Sequence, residues 1–205
     1  MNALRKENSQ HLLTASQIEK IGNAILFLSG EIKPLYKTSA LKLLYLIEEI
    51  SIRKYGIPFF GVDYQLWRLG PVIKDIYIDL TSNTAILGDY IETRSDSDST
   101  IIIPKKVFND DEFSDCDLDV LSIVVEKFKD KSAPELVKIT HRENYPWHKT
   151  AKEYGYLDIF DKNGCNATDI VLDLSTLLDD APELKRFYLS TLDFLQQSNH
   201  LKRLD

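Results

Sequence analysis

The sequence predicts a mainly α fold, a compact helical domain with a small β-hairpin or short antiparallel sheet. Three observations carry that prediction. Apolar residues recur at helical spacing behind capping residues through most of the 205 residues. The segments that alternate as strands do are short and fall between residues 64 and 104. No internal repeat and no linker rich in glycine or proline divides the chain, so residues 1–205 are expected to form one domain.

In chain order, residues 1–15 read as a loose lead-in. Ser16 with Glu19 three residues on makes a capping-box pattern, with Ile18, Ile21, Ile25 and Leu28 near one face behind it and Gly30 as its stop. A second helix from about Thr38 to Tyr55 places Leu41, Leu44, Tyr45 and Glu48 on one side. Leu43, Ile47 and Ile50 widen its apolar surface until little can face water, which predicts a central, buried helix ended by Gly56 and Pro58. Tyr64 to Leu69 alternates and reads as a short strand. Pro71, with φ fixed and no N–H, suits the first turn of a helix running to about Leu80, with Val72, Ile76 and Leu80 on one face. Asp89–Thr93 and Thr100–Pro104 read as a hairpin with a solvated, mobile tip from Arg94 to Ser99. That tract lacks the spaced glycine and terminal glutamate of a calcium loop.

Helices then return. Ser114 caps one that carries Leu118, Leu121, Val125 and Phe128, with Asp115 and Asp117 at its positive end. Ser132-Ala133-Pro134-Glu135 opens another that carries Leu136, Ile139 and Thr140. Asn144-Tyr145-Pro146 breaks it, and a short helix from Trp147 to Tyr154 ends at Gly155. Ile170 to Leu178 fits helix and strand equally. Pro182 opens a last helix with Leu184, Phe187, Tyr188, Thr191, Leu192 and Leu195 on its buried side.

Composition bounds the function. With 43% hydrophobic residues, a chain of this length can bury roughly 70% of its unfolded surface and needs no disulfide or metal staple. The formal charge is -7 and the signs are interleaved, which argues against a broad nucleic-acid footprint and suits a basic partner. Cys116 and Cys165 are isolated thiols, the pattern of a reducing compartment. Met1 to Leu13 lacks the apolar core of a signal peptide, and no apolar run reaches the ~18 residues of a membrane span. The cytoplasm is therefore the expected location, with no membrane partner.

The catalytic inventory is thin. There is no phosphate-binding glycine loop, no H-E-x-x-H and no nucleophile elbow. His141 and His148 are separated by a proline break with no cysteine nearby, a weak pattern for a metal pair or a hydrolase. His141 has the pKa range of a general base, but its place near a helix C-terminus favours capping the last carbonyls. Carboxylates flank Cys116 and oppose a reactive thiolate. The doublets Glu48-Glu49, Asp110-Asp111 and Asp179-Asp180 read as solvated faces or helix ends, because neighbours on a helix point in different directions. No catalytic residue, metal or cofactor is expected. Lys37, Lys42, Arg53, Lys54, Arg68 and Lys74 make the first half locally basic, yet no helix shows the basic and amide cluster of a recognition helix. Neither direct nucleic-acid binding nor transcriptional regulation is expected.

Two blocks stand out. The first runs from Leu41-Lys42-Leu43-Leu44-Tyr45 through Pro58-Phe59 to Trp67-Arg68-Leu69-Gly70-Pro71-Val72 and Tyr77. The second is Thr140-His141-Arg142-Glu143 with Pro146-Trp147. On a strand, Trp67 and Arg68 face opposite ways. Gly70 lets the backbone turn or approach closely, and Trp147 behind Pro146 is a second rigid anchor. Tryptophan, tyrosine and arginine are the residues that dominate protein interfaces, and tryptophan is equally a core residue. The K-L-L-Y helix, the W-x-x-G-P-V block with its following tyrosine, and the T-H … P-W block resemble, in order and spacing, the Panacea domain. That domain occurs in antitoxins of bacterial and phage toxin–antitoxin systems and is also called SocA-like.

The resemblance covers about residues 33 to 155, with an N-terminal helix before it and a helical extension after it. It departs from the family pattern at Arg68-Leu69, in a long loop from Asp89 to Asp111, and in the extension from about Cys165. It implies an antitoxin that binds and neutralises a cognate toxin protein without catalysis. A second mode within the family implies an adaptor that hands the toxin to a cellular protease. The motif or partner-binding residues it marks are Lys42, Tyr45, Trp67, Arg68, Gly70, Pro71, Tyr77, His141 and Trp147.

Overall fold

The apolar cover on almost every face of residues 38–55 is satisfied by burying the helix whole. In the computed structural model, which describes residues 13–82, 84–96 and 99–201, every residue of helix α2 (Lys37–Tyr55) from Ser39 to Glu49 is buried. The lead-in as far as residue 12, including His11, lies outside the described residues, as do Ser97 and Asp98 at the hairpin tip. The fold is mainly α with two small antiparallel sheets, the class expected from the sequence.

Helix α1 (Ala15–Glu31) starts earlier than the Ser16–Glu19 pattern predicts. Thr14 is the N-cap, and Gln17 reciprocates from the third helical position. The Gln17 amide also donates to the carbonyls of Phe60 and Gly61 at 3.2 and 2.7 Å, so a tertiary contact selects this box over the alternative. Gly30 does not stop the helix, which continues to a cap at Ile32.

Strand β1 (Gln65–Trp67) is followed by a second strand, β2 (Gly70–Val72), where a helix beginning at Pro71 was expected. Gly70, at φ 104°, reverses the chain so that Trp67 faces Gly70 and Leu66 faces Pro71. Pro71 has no N–H to offer. Its carbonyl accepts from a lysine of α2, and the N–H of Leu66 is used on the other side of β1, by Ile170 O at 2.8 Å. The ring's preference for a first helical turn yields to this pairing. Helix α3 (Lys74–Thr81) begins three residues later and buries Ile76 and Leu80.

The hairpin β3 (Ile91–Asp96) and β4 (Ser99–Pro104) forms, but it is paired from Ile91–Pro104 to Asp96–Ser99, so its strands run on into the tract from Arg94 to Ser99 expected as a mobile tip. The bond from Ile102 N–H to Leu35 O ties it to the α1–α2 connection. Helices α4 (Asp115–Phe128) and α5 (Ala133–Thr140) are capped by Ser114 and Ser132 as predicted, and at Ser114 the reciprocal bond from Asp117 completes a box. Helix α6 (Pro146–Glu153) starts on its proline, and α7 (Leu157–Asp161) follows. Helices α1, α4 and α5, both hairpins and a later 3-10 turn pack around α2.

The ambiguous stretch from Ile170 divides. Its first residues run along β1, with Leu172 N–H bonded to Tyr64 O and a bridge between Gln65 and Val171. A 3-10 turn over Leu174–Leu178 follows, capped by Asp173. Helix α8 (Pro182–Leu201) buries Tyr188 and half-buries Leu184, Thr191, Leu192 and Leu195. Phe187 is exposed, contrary to expectation, because it lies across the end of α2 near Gly56 rather than under α8.

The doublet Glu48-Glu49 also departs from expectation. Both carboxylates are buried, at 1% and 2% exposure, where a solvated face was predicted. Neighbouring helical positions do point apart, but α2 has protein on both sides. Glu48 turns to the 58–61 loop and accepts the N–H groups of Phe59 and Phe60 at 3.1 and 2.9 Å. Glu49 turns the other way and pairs with Arg142. A buried carboxylate without such donors would cost several kcal/mol.

Burial pushes Glu48 up to about 7, with the two N–H groups and Lys20 pulling against it. The folded protein therefore holds a proton there that the unfolded chain, near 4.5, gives up sooner. The stability this confers is complete below about pH 4.5 and lost as pH rises through about 7. Glu48→Gln, which cannot titrate, should gain stability relative to wild type across that window. Urea unfolding at both ends checks it, and a pH-independent difference would show an ordinary carboxyl.

Candidate functional site

The two sequence blocks meet at the β1–β2 turn. Lys42 projects from the middle of α2 with 2% of its surface exposed, and its Nζ donates to Pro71 O at 3.0 Å. Gly70 lies against it so closely that a Cβ there would stand 2.7 Å from Thr140 Oγ1, 3.0 Å from Lys42 Nζ and 3.3 Å from His141 Nε2. Glycine is needed at this position for contact as well as for its positive φ.

Trp147, the second residue of α6, closes the cluster. Its Nε1 donates to Trp67 O at 2.8 Å, and its ring stacks on His141 at 3.6 Å and 14°. Trp67 packs edge-on against Tyr77 at 4.6 Å. The α5–α6 break at Asn144-Tyr145-Pro146 turns the chain so that His141 and Trp147 face the same turn.

Of the residues singled out from the sequence, Lys42, Trp67, Gly70, Pro71, Tyr77, His141 and Trp147 converge here. Tyr45 lies one turn along α2, edge-on to Tyr64 at 5.4 Å, with its hydroxyl beside the Glu49 carboxylate. Arg68 faces the other way and donates to Asn166 Oδ1 and Asn163 Oδ1, both at 2.7 Å. The C-terminal extension is thereby fastened to the hairpin. Trp147, expected as an anchor on an interface or in the core, is a core residue with 5% of its surface exposed.

Sequence reasoning missed the polar network behind Tyr45. Arg142 pairs with Glu49 and stacks on Tyr145 at 3.8 Å, while Arg53 donates to the Tyr145 hydroxyl at 2.9 Å. The available signal was a charged doublet inside an apolar helix, matched by a lone arginine in the second block.

The electrostatics are those of a packed cluster. Among the described residues no carboxylate pairs with Lys42, and burial pushes its pKa down to about 7. Burial, and then the neighbouring Lys42 charge, push His141 down to about 3, so its ring is neutral at ordinary pH. Its side chain does not cap α5 as expected. Among the described residues Nε2 has no hydrogen-bond partner, and the cap bonds come from the backbone N–H. A hydrolase would bring His141 and His148 to a carboxylate, yet His141 faces Trp147 and Lys42. Among the described residues, no group of three or more His, Cys, Asp and Glu side chains is placed to hold a metal ion.

The locally basic first half is likewise engaged. Lys54 pairs with Asp119 and Lys74 with Asp169, while Lys37 donates to Thr81. Both cysteines are free thiols. Among the described residues, no helix is long and apolar enough to cross a membrane.

Fold and site together define a mainly α protein built around a buried lysine that holds the β1–β2 turn. The chain belongs to the family described as antitoxin SocA-like, Panacea domain, whose profile matches residues 41–148, from α2 into α6. No match was found among curated proteins or among solved structures.

Two outcomes follow from this geometry. Gly70→Ala should lower the unfolding free energy by about 2 kcal/mol or more, since the new methyl meets packed groups at a positive φ. Denaturant titration checks it, and a loss below that of an exposed surface alanine would contradict the close approach. His141 confers stability that is complete above about pH 6.5 and lost as pH falls through about 3, because the unfolded ring protonates first. The acid limb of the stability curve should flatten in His141→Gln over that range, and an unchanged limb would place the titration elsewhere.

Proposed function

We propose that this chain is an antitoxin that neutralises a cognate toxin protein by direct protein–protein binding, without catalysis, cofactor or metal, in the cytoplasm. The observation that carries the reading is the family match over residues 41–148, since an antitoxin acts on a toxin. The placement of the motif residues supports a scaffold role for them. Lys42, Gly70, Pro71 and Trp147 are buried against one another and hold the hairpin to α2. Partner contact then falls on exposed surface around this frame. One apolar core cluster joins Ile21 of α1 to Tyr188 of α8, which supports reading residues 1–205 as one working unit.

Co-expression with the product of the adjacent gene tests the reading. That product alone should arrest growth. This chain should restore growth and co-elute with the product in size-exclusion chromatography. Arrest that persists, with no complex, overturns the proposal. A partner whose half-life falls only when this chain and a cellular protease are both present would replace direct neutralisation with adaptor delivery.

A further inference from the structure

We propose that a cleft between the 58–64 connection, residues 171–175 and α8 receives an apolar side chain of the toxin that is flanked by lysine or arginine. This inference rests on the direct-binding reading above and names the surface and the chemistry that it leaves open.

The cleft encloses about 190 Å³. A cavity of about 150 Å³ is enough to hold a benzene ring, so one aromatic or branched aliphatic side chain fits. Its inner wall is apolar and already packed, with Tyr64, Leu172 and Tyr188 buried. Its mouth carries Val171 and Leu189, at 46% and 43% exposure. Preformed apolar pockets of this kind take the anchor residues that dominate protein interfaces.

The charge around the cleft has one sign. Asp63 and Asp173 line it, beside the buried Glu48, and its lining includes no lysine, arginine or histidine. Some exposed or half-buried acids elsewhere are matched by lysines. Lys20 meets Asp117, Lys54 meets Asp119, Lys74 meets Asp169, and two lysines meet Asp179. Among the described residues Asp63 has no hydrogen-bond or ion-pair partner, and the one recorded bond of the Asp173 carboxylate is from Ser175 N–H. An apolar mouth with uncompensated carboxylates is complementary to an apolar anchor beside a cation.

The two walls differ in origin. The 58–64 wall lies within the family match, and the wall built from residues 171–192 lies outside it. A shared frame thus supports a chain-specific face, which is where recognition of one particular toxin belongs.

The test uses the purified full-length chain and the purified product of the adjacent gene, in a binding titration at low and high salt. Leu189→Glu should weaken the dissociation constant at least about tenfold. Asp63→Lys should slow association several-fold at low salt, and the difference should shrink as salt rises. Val107→Glu, on the exposed β4–α4 connection, should bind as wild type does. Circular dichroism checks each fold, and Val171→Glu reads the same mouth if Leu189→Glu fails to fold. Wild-type binding with unchanged affinity in both cleft variants overturns this inference and leaves direct neutralisation standing. No wild-type binding at all overturns both. A free chain that dimerises through the cleft, and is monomeric as Leu189→Glu, assigns the cleft to a second copy and overturns the proposal.

Discussion

Lys42 places an ammonium group inside the protein, and the arrangement around it follows from that one burial. An unpaired buried cation costs several kcal/mol, and among the described residues no carboxylate offsets it. Two features reduce the cost. The nitrogen donates to Pro71 O, and its pKa falls to about 7, so the neutral amine is within easy reach. The bond requires the β1–β2 turn to sit against α2. That closeness excludes any side chain at residue 70, and burial, with the Lys42 charge second, keeps His141 uncharged beside it. Trp147 then covers His141 and takes up the free carbonyl of Trp67. A lysine, a glycine, a histidine and a tryptophan far apart in the chain thus serve one packing problem.

The same helix carries two more ionisable groups into the interior, and each meets a different neighbour. Glu48 holds the loop after α2 through two backbone N–H groups. Glu49 holds the α5–α6 corner through Arg142. Generic apolar packing would let a central helix rotate or slide at little cost. Three polar contacts pointing three ways penalise every orientation but one, because each misplacement leaves a buried charge without its partner. The Glu49–Arg142 pair and the Trp147–His141 stack both fix the α5–α6 break, so the late block is anchored to α2 and to the hairpin at once.

In this antitoxin-family chain, the buried motif residues form a frame. Residues that make the family legible are those whose substitution would disturb the frame. Arg68 marks the boundary, since it leaves the cluster to bind Asn163 and Asn166 and so fastens the extension. Backbone bonds from residues 166–172 to β1 complete that attachment and set α8 beside the 58–64 connection.

The sequence by itself determined the class of the fold, the buried α2, a hairpin ending at Pro104, the cap at Ser114, the capping box at Ser132, and the membership of Lys42, Trp67, Gly70, His141 and Trp147 in one constellation. These were legible because periodicity, capping and turn chemistry act over a few residues, and because the motif's order survives in one dimension. Only the tertiary structure decided that Pro71 sits in a strand, that Glu48 and Glu49 are buried, that α1 is capped at Thr14, and that Phe187 stays exposed. Each of those depends on a partner far away in the chain: Lys42 for Pro71, Phe59 and Phe60 for Glu48, Arg142 for Glu49, the 60–61 carbonyls for Gln17, and the end of α2 for Phe187. Local pattern cannot register contacts made from 11 to more than 90 residues away, and it was those contacts that overrode local preference.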